Sequence, residues 1–139
     1  MSERMSVLYN KKTCYDIVFT KDFGELAEEL AALECGTKKL CVIADSKVDE
    51  LYGEEVLRLL EGKCVKAVKY VFPQGEASKT LDTVKDIYRF LIEEGFDRKD
   101  MLLALGGGVT GDITGYAAAT YLRGIDYVQI PTTLLAQAD

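Results

Sequence analysis

The sequence predicts an α/β domain in which a mostly parallel sheet is covered by helices on both faces. Two short apolar runs, residues 40–44 and 101–105, are typical of strands buried on both sides. They alternate with longer segments whose apolar residues recur every three to four positions, the spacing of an amphipathic helix. Alternating strands and helices joined by short loops favour βαβ units, and hence a doubly wound, Rossmann-like sheet.

The first elements are predicted to be a β-hairpin and a helix. Residues 7–20 contain two short β-rich stretches around a polar turn at residues 10–13. Residues 23–30 carry apolar side chains at helical spacing, with Asp22 as a candidate N-cap. Gly36 ends this helix.

Two strand–helix pairs follow. Ser46 is a candidate N-cap for the helix after the strand at residues 40–44, and Gly62 ends that helix. Residues 65–72 are rich in β-formers and predict a strand, which is followed by a helix over residues 80–94. The side chains expected to face the core are Val48, Leu51, Tyr52, Val56, Leu59 and Leu60 in the first helix and Leu81, Val84, Ile87, Tyr88 and Leu91 in the second.

The last pair begins with the buried strand at residues 101–105, which runs directly into three glycines. The Ala-rich residues 113–122 predict a helix whose small side chains allow close packing against a neighbour. Residues 127–130 predict the final strand, which ends at Pro131.

Composition excludes several classes of function. The net charge is −6, from 17 basic and 23 acidic residues, which argues against partners such as nucleic acid or an anionic membrane. Histidine is absent, so the chain has neither a Ser-His-Asp triad nor a His-ligated metal site. The four cysteines form no C-x-x-C pair and are predicted to be reduced thiols. Without a signal peptide or an apolar membrane span, a cytoplasmic protein is expected.

The glycine-rich loop is the strongest candidate for a ligand site, because ligands of such sheets bind beyond the carboxyl ends of the strands. Gly106, Gly107 and Gly108 let the backbone approach a ligand closely, and the helix that follows offers amides to a pyrophosphate. Asp112 either caps that helix or binds a ribose or a nicotinamide amide. The alternative is a tight turn without a ligand, since the spacing is neither G-x-G-x-x-G nor a P-loop.

Three other post-strand loops carry polar groups. Asp45 either accepts hydrogen bonds from ribose hydroxyls or caps the next helix. Glu76 and Lys79 either meet a ribose or a phosphate or form a solvated salt pair. Thr132 and Thr133 either bind a nucleotide or cap a helix. The convergence of four such loops predicts one dinucleotide lying across the sheet edge.

The run GGGVTGDITGYAAATYLRGIDYVQIPTTLLAQAD resembles the signature region of the 3-dehydroquinate synthase family. It combines GGGVxGDxxG, AAxYxRG and QxPTTLLAQxD in the family's order, although Ala138 stands where the family usually has Val. Upstream, the Glu76–Lys79 loop and Asp45 also match. The resemblance covers the whole chain but only the N-terminal half of the family's protein.

The resemblance implies a set of functional residues. Arg123 matches an arginine that reaches the substrate phosphate of the neighbouring subunit, the alternative being a surface residue paired with an acidic neighbour. Asp139 matches an aspartate near the substrate and the cofactor. The residues implied to hold NAD⁺ are Asp45, Glu76, Lys79, Gly107, Gly108, Val109, Asp112, Thr132, Thr133 and Leu135.

The resemblance also implies an activity. The family converts 3-deoxy-D-arabino-heptulosonate 7-phosphate to 3-dehydroquinate and phosphate, a carbon–oxygen lyase step of the shikimate pathway of aromatic amino acid biosynthesis. The family enzyme uses NAD⁺ with zinc or cobalt, and a helical C-terminal domain supplies the metal ligands. Residues 1–139 are therefore expected to be an NAD-binding N-terminal domain, inactive alone and part of a homodimer when full length.

Two alternatives remain at this stage. One is another sugar-phosphate cyclase or an iron- or glycerol-dehydrogenase-like NAD domain. Those dehydrogenases favour GGG-x-x-x-D-x-x-K, whereas here Gly115 stands three residues after Asp112. The more remote alternative is a non-enzymatic, receiver-like α/β module, for which Asp45 at a strand end is the only support.

Overall fold

The computed structural model describes residues 26, 30, 31 and 34–132, together with the backbone of residues 3–9 and 12–19. Within these residues, no helix combines the length and the apolar character needed to span a membrane.

The chain begins with the predicted β-hairpin. Strands β1 (Glu3–Tyr9) and β2 (Lys12–Phe19) pair antiparallel as a separate two-stranded sheet, with an irregular register between Val7 and Leu8. Of the helix predicted next, Leu30 is helical and buried, and the proposed cap Asp22 lies outside the described residues.

The main sheet has four parallel strands in the order β4-β3-β5-β6. The strands are β3 (Lys39–Asp45), β4 (Lys66–Phe72), β5 (Met101–Gly106) and β6 (Asp126–Pro131). The register pairs Asp45 with Phe72 and Gly106 with Pro131, so the strands finish together. We call the side of the sheet where they finish the carboxyl edge and the opposite side the amino edge.

Helices connect these strands. After β3 the chain forms α1 (Ser46–Val48), a π-helical segment (Asp49–Gly53) and α2 (Glu54–Leu60). After β4 come a 3₁₀ turn (Glu76–Ser78) and α3 (Leu81–Glu93). After β5 come α4 (Gly108–Thr120) and a turn over Tyr121–Arg123.

The core lies on both faces of the main sheet, which confirms the doubly wound arrangement. Along β3, Cys41 and Ile43 pack with α3 and α4, whereas Leu40 and Val42 pack with α2 on the other face. Every residue of β5 is buried, as its continuous apolar run predicted.

The structure corrects two of the predicted core positions and one cap. Leu51 is 54% exposed. The prediction assumed the 3.6-residue turn of an α-helix, and the wider turn of the π-helical segment points this side chain in a different direction. Leu81 is 65% exposed at the first position of α3. The N-cap of α1 is Asp45 rather than Ser46.

The helix after the glycines also differs from the prediction. It begins at Gly108, five residues earlier than predicted, because Gly106 at φ 151° lets the strand turn directly into the helix. It ends at Thr120 rather than at Leu122, since Leu122 and Arg123 adopt left-handed backbone conformations with φ of 48° and 69°.

Candidate functional site

Four loops meet at the carboxyl edge of the main sheet. Because parallel strands in register end together, the structure places the loops after β3, β4, β5 and β6 side by side. The sequence-predicted site residues on these described loops are Asp45, Glu76, Lys79, Gly107, Gly108, Val109, Asp112 and Thr132.

The glycine loop presents free backbone amides. Gly107 is the N-cap of α4, and no side chain caps this helix. The first amide that bonds back to the cap is that of Gly111, which donates to the Gly107 carbonyl at 3.1 Å. The amides of the first turn are therefore available to an anion, which the positive end of the helix dipole also favours.

A narrow cleft runs beside this loop, with a volume of about 20 Å³. That volume holds little more than one water molecule, so a larger ligand lies along the rim rather than inside an enclosed cavity. The cleft is lined by Ala104, Gly106, Gly107, Gly108, Gly111, Asp112, Gln129 and Pro131.

Lys79 and Asp112 join two of the loops. Lys79 Nζ lies 2.9 Å from Asp112 Oδ2 and 3.9 Å from the Glu76 carboxylate. The hydrogen bond to Asp112 raises the pKa of Lys79 above its usual value. Asp112 thus pairs across the edge instead of capping its own helix, and the expected Glu76–Lys79 pair is the longer of the two contacts.

Asp45 performs the structural role that the sequence left open. Its Oδ1 accepts a hydrogen bond from the Val48 amide at 2.8 Å, which caps α1. Next to it, Ser46 Oγ accepts a hydrogen bond from the Gln74 amide at 3.0 Å. Ser46 therefore ties the loop after β3 to the loop after β4, a role that sequence reasoning missed.

The packing of α4 against β6 was only partly predicted. A Cβ at Gly111 would lie 2.7 Å from Gln129 Nε2, and one at Gly115 would lie 3.1 Å from the Tyr127 hydroxyl. The four-residue spacing of these two glycines is the signal that indicates the close approach. At the end of β6, the Thr132 amide donates to the Gly106 carbonyl at 3.2 Å.

Two buried hydroxyls near this edge were not singled out from the sequence. Thr110 is 1% exposed and Thr114 is fully buried, and neither Oγ1 has a hydrogen-bond partner among the described residues. Both lie on the first turns of α4, next to the glycine loop.

Arg123 stands apart from the other predicted residues. It precedes β6 and therefore lies at the amino edge, whereas the glycine loop follows β5 at the carboxyl edge. A strand of six residues separates the two edges by about 16 Å, at a rise of about 3.3 Å per residue. Three further predicted residues, Thr133, Leu135 and Asp139, lie outside the described residues.

The described residues contain no group of three or more side chains suited to hold a metal ion. Cys35, Cys41 and Cys64 are free thiols. Burial raises the pKa of all three thiols, which keeps them protonated and unreactive.

The fold and this edge together define the chain's class. It is a doubly wound α/β protein whose glycine-rich strand-to-helix loop lies among polar loops at the carboxyl edge, where such sheets bind ligands. The family model for the 3-dehydroquinate synthase N-terminal region matches residues 69–139. The chain belongs to the 3-dehydroquinate synthase family, as its motifs predicted.

Individual relatives agree with this assignment. A 3-dehydroquinate synthase from Ruminiclostridium cellulolyticum is 47% identical over 129 residues, covering 93% of this chain and 36% of the relative. The solved 2-epi-5-epi-valiolone synthase from Streptomyces hygroscopicus subsp. jinggangensis 5008, with NAD⁺ and Zn²⁺ bound, is 33% identical with a TM-score of 0.72, covering 94% of this chain and 36% of that chain.

A further solved relative is 2-deoxy-scyllo-inosose synthase complexed with carbaglucose-6-phosphate, NAD⁺ and Co²⁺. It is 30% identical with a TM-score of 0.73, covering 81% of this chain and 32% of that chain. The chain thus spans about a third of the length of these relatives.

Proposed function

We propose that residues 1–139 form the NAD⁺-binding domain of a 3-dehydroquinate synthase. The observation that carries the proposal is the uncapped start of α4 at Gly107, placed among three other polar loops at the carboxyl edge. Two solved relatives that share this fold at 30% and 33% identity have NAD⁺ bound, which supports the choice of cofactor.

The carboxyl edge fits a dinucleotide. The pyrophosphate is held by the amides at the start of α4, where Gly107 and Gly108 have no side chains to obstruct it. Asp45 accepts hydrogen bonds from ribose hydroxyls with the carboxylate oxygen that the cap does not use. The other residues proposed to contact NAD⁺ are Glu76, Lys79, Val109, Asp112, Thr132, Thr133 and Leu135.

The proposed activity of the whole protein is the conversion of 3-deoxy-D-arabino-heptulosonate 7-phosphate to 3-dehydroquinate and phosphate. When bound, NAD⁺ supplies reversible hydride acceptance. Residues of this chain bind and orient the dinucleotide. Zinc or cobalt is proposed to be held by residues in the part of the protein that this chain does not cover, so that the chain alone is inactive.

Arg123 is proposed to act on a neighbouring subunit. Because about 16 Å of sheet separates it from the glycine loop of its own chain, it cannot contact a substrate that reacts there. A homodimer in which Arg123 reaches the partner's sugar phosphate satisfies this geometry, and Asp139 is proposed to lie near the substrate.

The free thiols support a cytoplasmic location.

The proposal is tested by titrating the 139-residue chain with NAD⁺ while recording amide chemical shifts, with NADP⁺ as the comparison ligand. Saturable shifts are expected at residues 106–112 and at Thr132, and they are lost in Gly107→Val. Gly107 has φ −84° and ψ −162°, an extended conformation that valine adopts without backbone strain, and an amide spectrum that keeps its dispersion verifies that the variant is folded.

Gly36→Ala is the matched control. A Cβ at Gly36 meets no atom within 4 Å, so this variant should bind NAD⁺ like the unaltered chain. Shifts that persist unchanged in Gly107→Val, or that appear away from the carboxyl edge, contradict the proposed site.

A further inference from the structure

A glutamine on β6 reaches the first turn of α4 beside the glycine loop. Gln129 is exposed, pairs with Ala104 of β5 and stands two residues before Pro131, the last residue of its strand. Its side-chain nitrogen, Nε2, would be 2.7 Å from a Cβ at Gly111. The carboxamide therefore lies against the helix and lines the narrow cleft next to the glycine loop.

The room for this carboxamide comes from a glycine inside a helix. Glycine is less favourable in a helix interior than every residue except proline, and a methyl group at Gly111 would displace the Gln129 side chain. The close approach brings no compensating hydrogen bond. Among the described residues, the two N–H donors and the one acceptor of the Gln129 carboxamide have no partner. The carboxamide is thus held at the cleft with its hydrogen-bonding groups available to a ligand.

The strand order places Gln129 at one end of the proposed cofactor site. Along the carboxyl edge, Asp45 ends β3, the glycine loop follows β5, and Gln129 lies on β6 beyond them. Strands β3 and β6 are two strand spacings apart, or about 10 Å. In doubly wound sheets an acidic residue at a strand end binds the adenosine ribose of NAD⁺. With that ribose at Asp45 and the pyrophosphate at the start of α4, the nicotinamide nucleoside extends toward β6.

The charge around the cleft favours a neutral group near Gln129. Among the described residues that line the cleft there is one carboxylate, that of Asp112, and no cation. A second anion inside the cleft would be repelled by this carboxylate. A carboxamide both donates and accepts hydrogen bonds, so it matches a neutral group that does the same.

We propose that Gln129 is a further cofactor-binding residue, whose carboxamide hydrogen-bonds the nicotinamide nucleoside of NAD⁺. The group recognised is one that both donates and accepts, which describes the ribose hydroxyls and the carboxamide of nicotinamide alike. Gly111 serves this contact by leaving room for the glutamine. The inference rests on the proposed function for the identity of the cofactor, and it adds the residue that recognises the half of NAD⁺ remote from Asp45.

The test compares the 139-residue chain with Gln129→Met in amide-shift titrations with NAD⁺ and with ADP. Methionine has nearly the length and volume of glutamine but lacks the carboxamide, and the site is exposed, so the variant should fold normally. NAD⁺ should bind Gln129→Met about three- to tenfold more weakly, as expected for loss of a neutral hydrogen bond. ADP lacks the nicotinamide nucleoside and should bind both chains equally.

A second variant keeps the shape of the side chain. Gln129→Glu retains the acceptor, loses the N–H donors and adds a negative charge near Asp112. It should weaken NAD⁺ binding at least as much as Gln129→Met does. Binding of NAD⁺ that both variants leave unchanged would overturn the inference, as would equal losses for NAD⁺ and ADP, because ADP shares only the adenosine and the pyrophosphate.

ADP-ribose distinguishes the two possible sources of the contact. It carries the second ribose but no nicotinamide. A loss of affinity in Gln129→Met for ADP-ribose as well as NAD⁺ assigns the contact to the ribose hydroxyls, whereas a loss for NAD⁺ alone assigns it to the nicotinamide carboxamide. Either result supports recognition of the nicotinamide nucleoside by Gln129.

Tyr127→Phe is the matched control. Tyr127 lies two residues before Gln129 on the same face of β6, and its hydroxyl would be 3.1 Å from a Cβ at Gly115, one helical turn further along α4. The variant removes a polar atom from an equivalent packing contact, and it should bind NAD⁺ like the unaltered chain. A loss equal to that of Gln129→Met would show an effect of helix packing and overturn the inference.

Failure of this inference is separable from failure of the proposed function. NAD⁺ binding that shifts residues 106–112 normally and does not respond to Gln129→Met overturns the role of Gln129 alone. An absence of shifts at residues 106–112 with every ligand overturns the proposed function and the role of Gln129 together.

Discussion

Replacing Thr110 with valine should stabilise the chain. The Thr110 hydroxyl is 1% exposed on α4 and has no hydrogen-bond partner among the described residues. A buried polar group without a partner costs about 1–3 kcal/mol relative to water. Valine keeps the branched shape and has nearly the same helix propensity, so the substitution removes that cost and little else.

The expected gain is at the lower end of that range. Thr110 is 1% exposed, so the somewhat larger methyl group of valine must be accommodated in a packed site, which offsets part of the gain. We therefore expect the free energy of unfolding to rise by about 1 kcal/mol. At a urea m-value of about 2 kcal/mol/M, the unfolding midpoint moves up by about 0.5 M.

Urea unfolding followed by circular dichroism measures this change, with Thr120→Val as the matched control on the same helix. The Thr120 hydroxyl donates to the Tyr116 carbonyl at 2.8 Å and also contacts the Tyr88 hydroxyl, so its loss should destabilise the chain by about 1 kcal/mol. If Thr110→Val lowers the midpoint as Thr120→Val does, the Thr110 hydroxyl has a partner and the reasoning is wrong.

Three further predictions concern the carboxyl edge and the buried core. Asp45→Ala should lower the free energy of unfolding by about 1 kcal/mol through loss of the Val48 cap, and Asp45→Asn should retain most of it; equal losses would contradict the capping role. Lys79→Met should leave the urea midpoint unchanged at pH 7, because the pair with Asp112 is exposed, yet weaken NAD⁺ binding in the amide titration. Burial raises the pKa of Cys41, so the folded chain keeps a proton that the unfolded chain loses above about pH 9. Stability should therefore fall between pH 9 and pH 10, and Cys41→Ala should reduce that slope by up to about 1.4 kcal/mol per pH unit.

The two central strands were predictable because each is buried on both faces and therefore has a continuous apolar run. The predicted residues 101–105 became Met101–Gly106, and residues 40–44 became Lys39–Asp45, differences of one residue at a strand end. A strand covered on both faces needs apolar residues at every position, and few other structures require that pattern. The doubly wound fold follows from the alternation of these runs with helical segments.

The phase of the helix after β3 was not predicted, because a π-helical segment interrupts it. Asp49 lies over Gly53, where a Cβ would be 1.9 Å from Asp49 Oδ1, and reaches Lys69 on β4 at 2.7 Å. This contact lies within the π-helical segment, where Leu51 is exposed. Regular 3.6-residue spacing contains no information about a contact with a strand that follows later in the chain.

The location of the candidate site was predictable, and its internal contacts were not. Parallel topology alone brings Asp45 and the glycine loop to one edge. The same rule applied to Arg123, which precedes its strand, would have placed it at the other edge. The pairing of Lys79 with Asp112 depends on loop conformation, which residue types and spacing do not determine.

The loops of the carboxyl edge are linked to one another as well as to their strands. Ser46 receives the amide of Gln74, Lys79 pairs with Asp112, and the amide of Thr132 reaches the carbonyl of Gly106. The loops of the carboxyl edge therefore lose conformational entropy when the chain folds rather than when a ligand binds. Less of the free energy of the ligand's contacts is then spent on ordering these loops, and the affinity is higher. A substitution that removes any one of these contacts should make the entropy of ligand binding less favourable in a calorimetric titration.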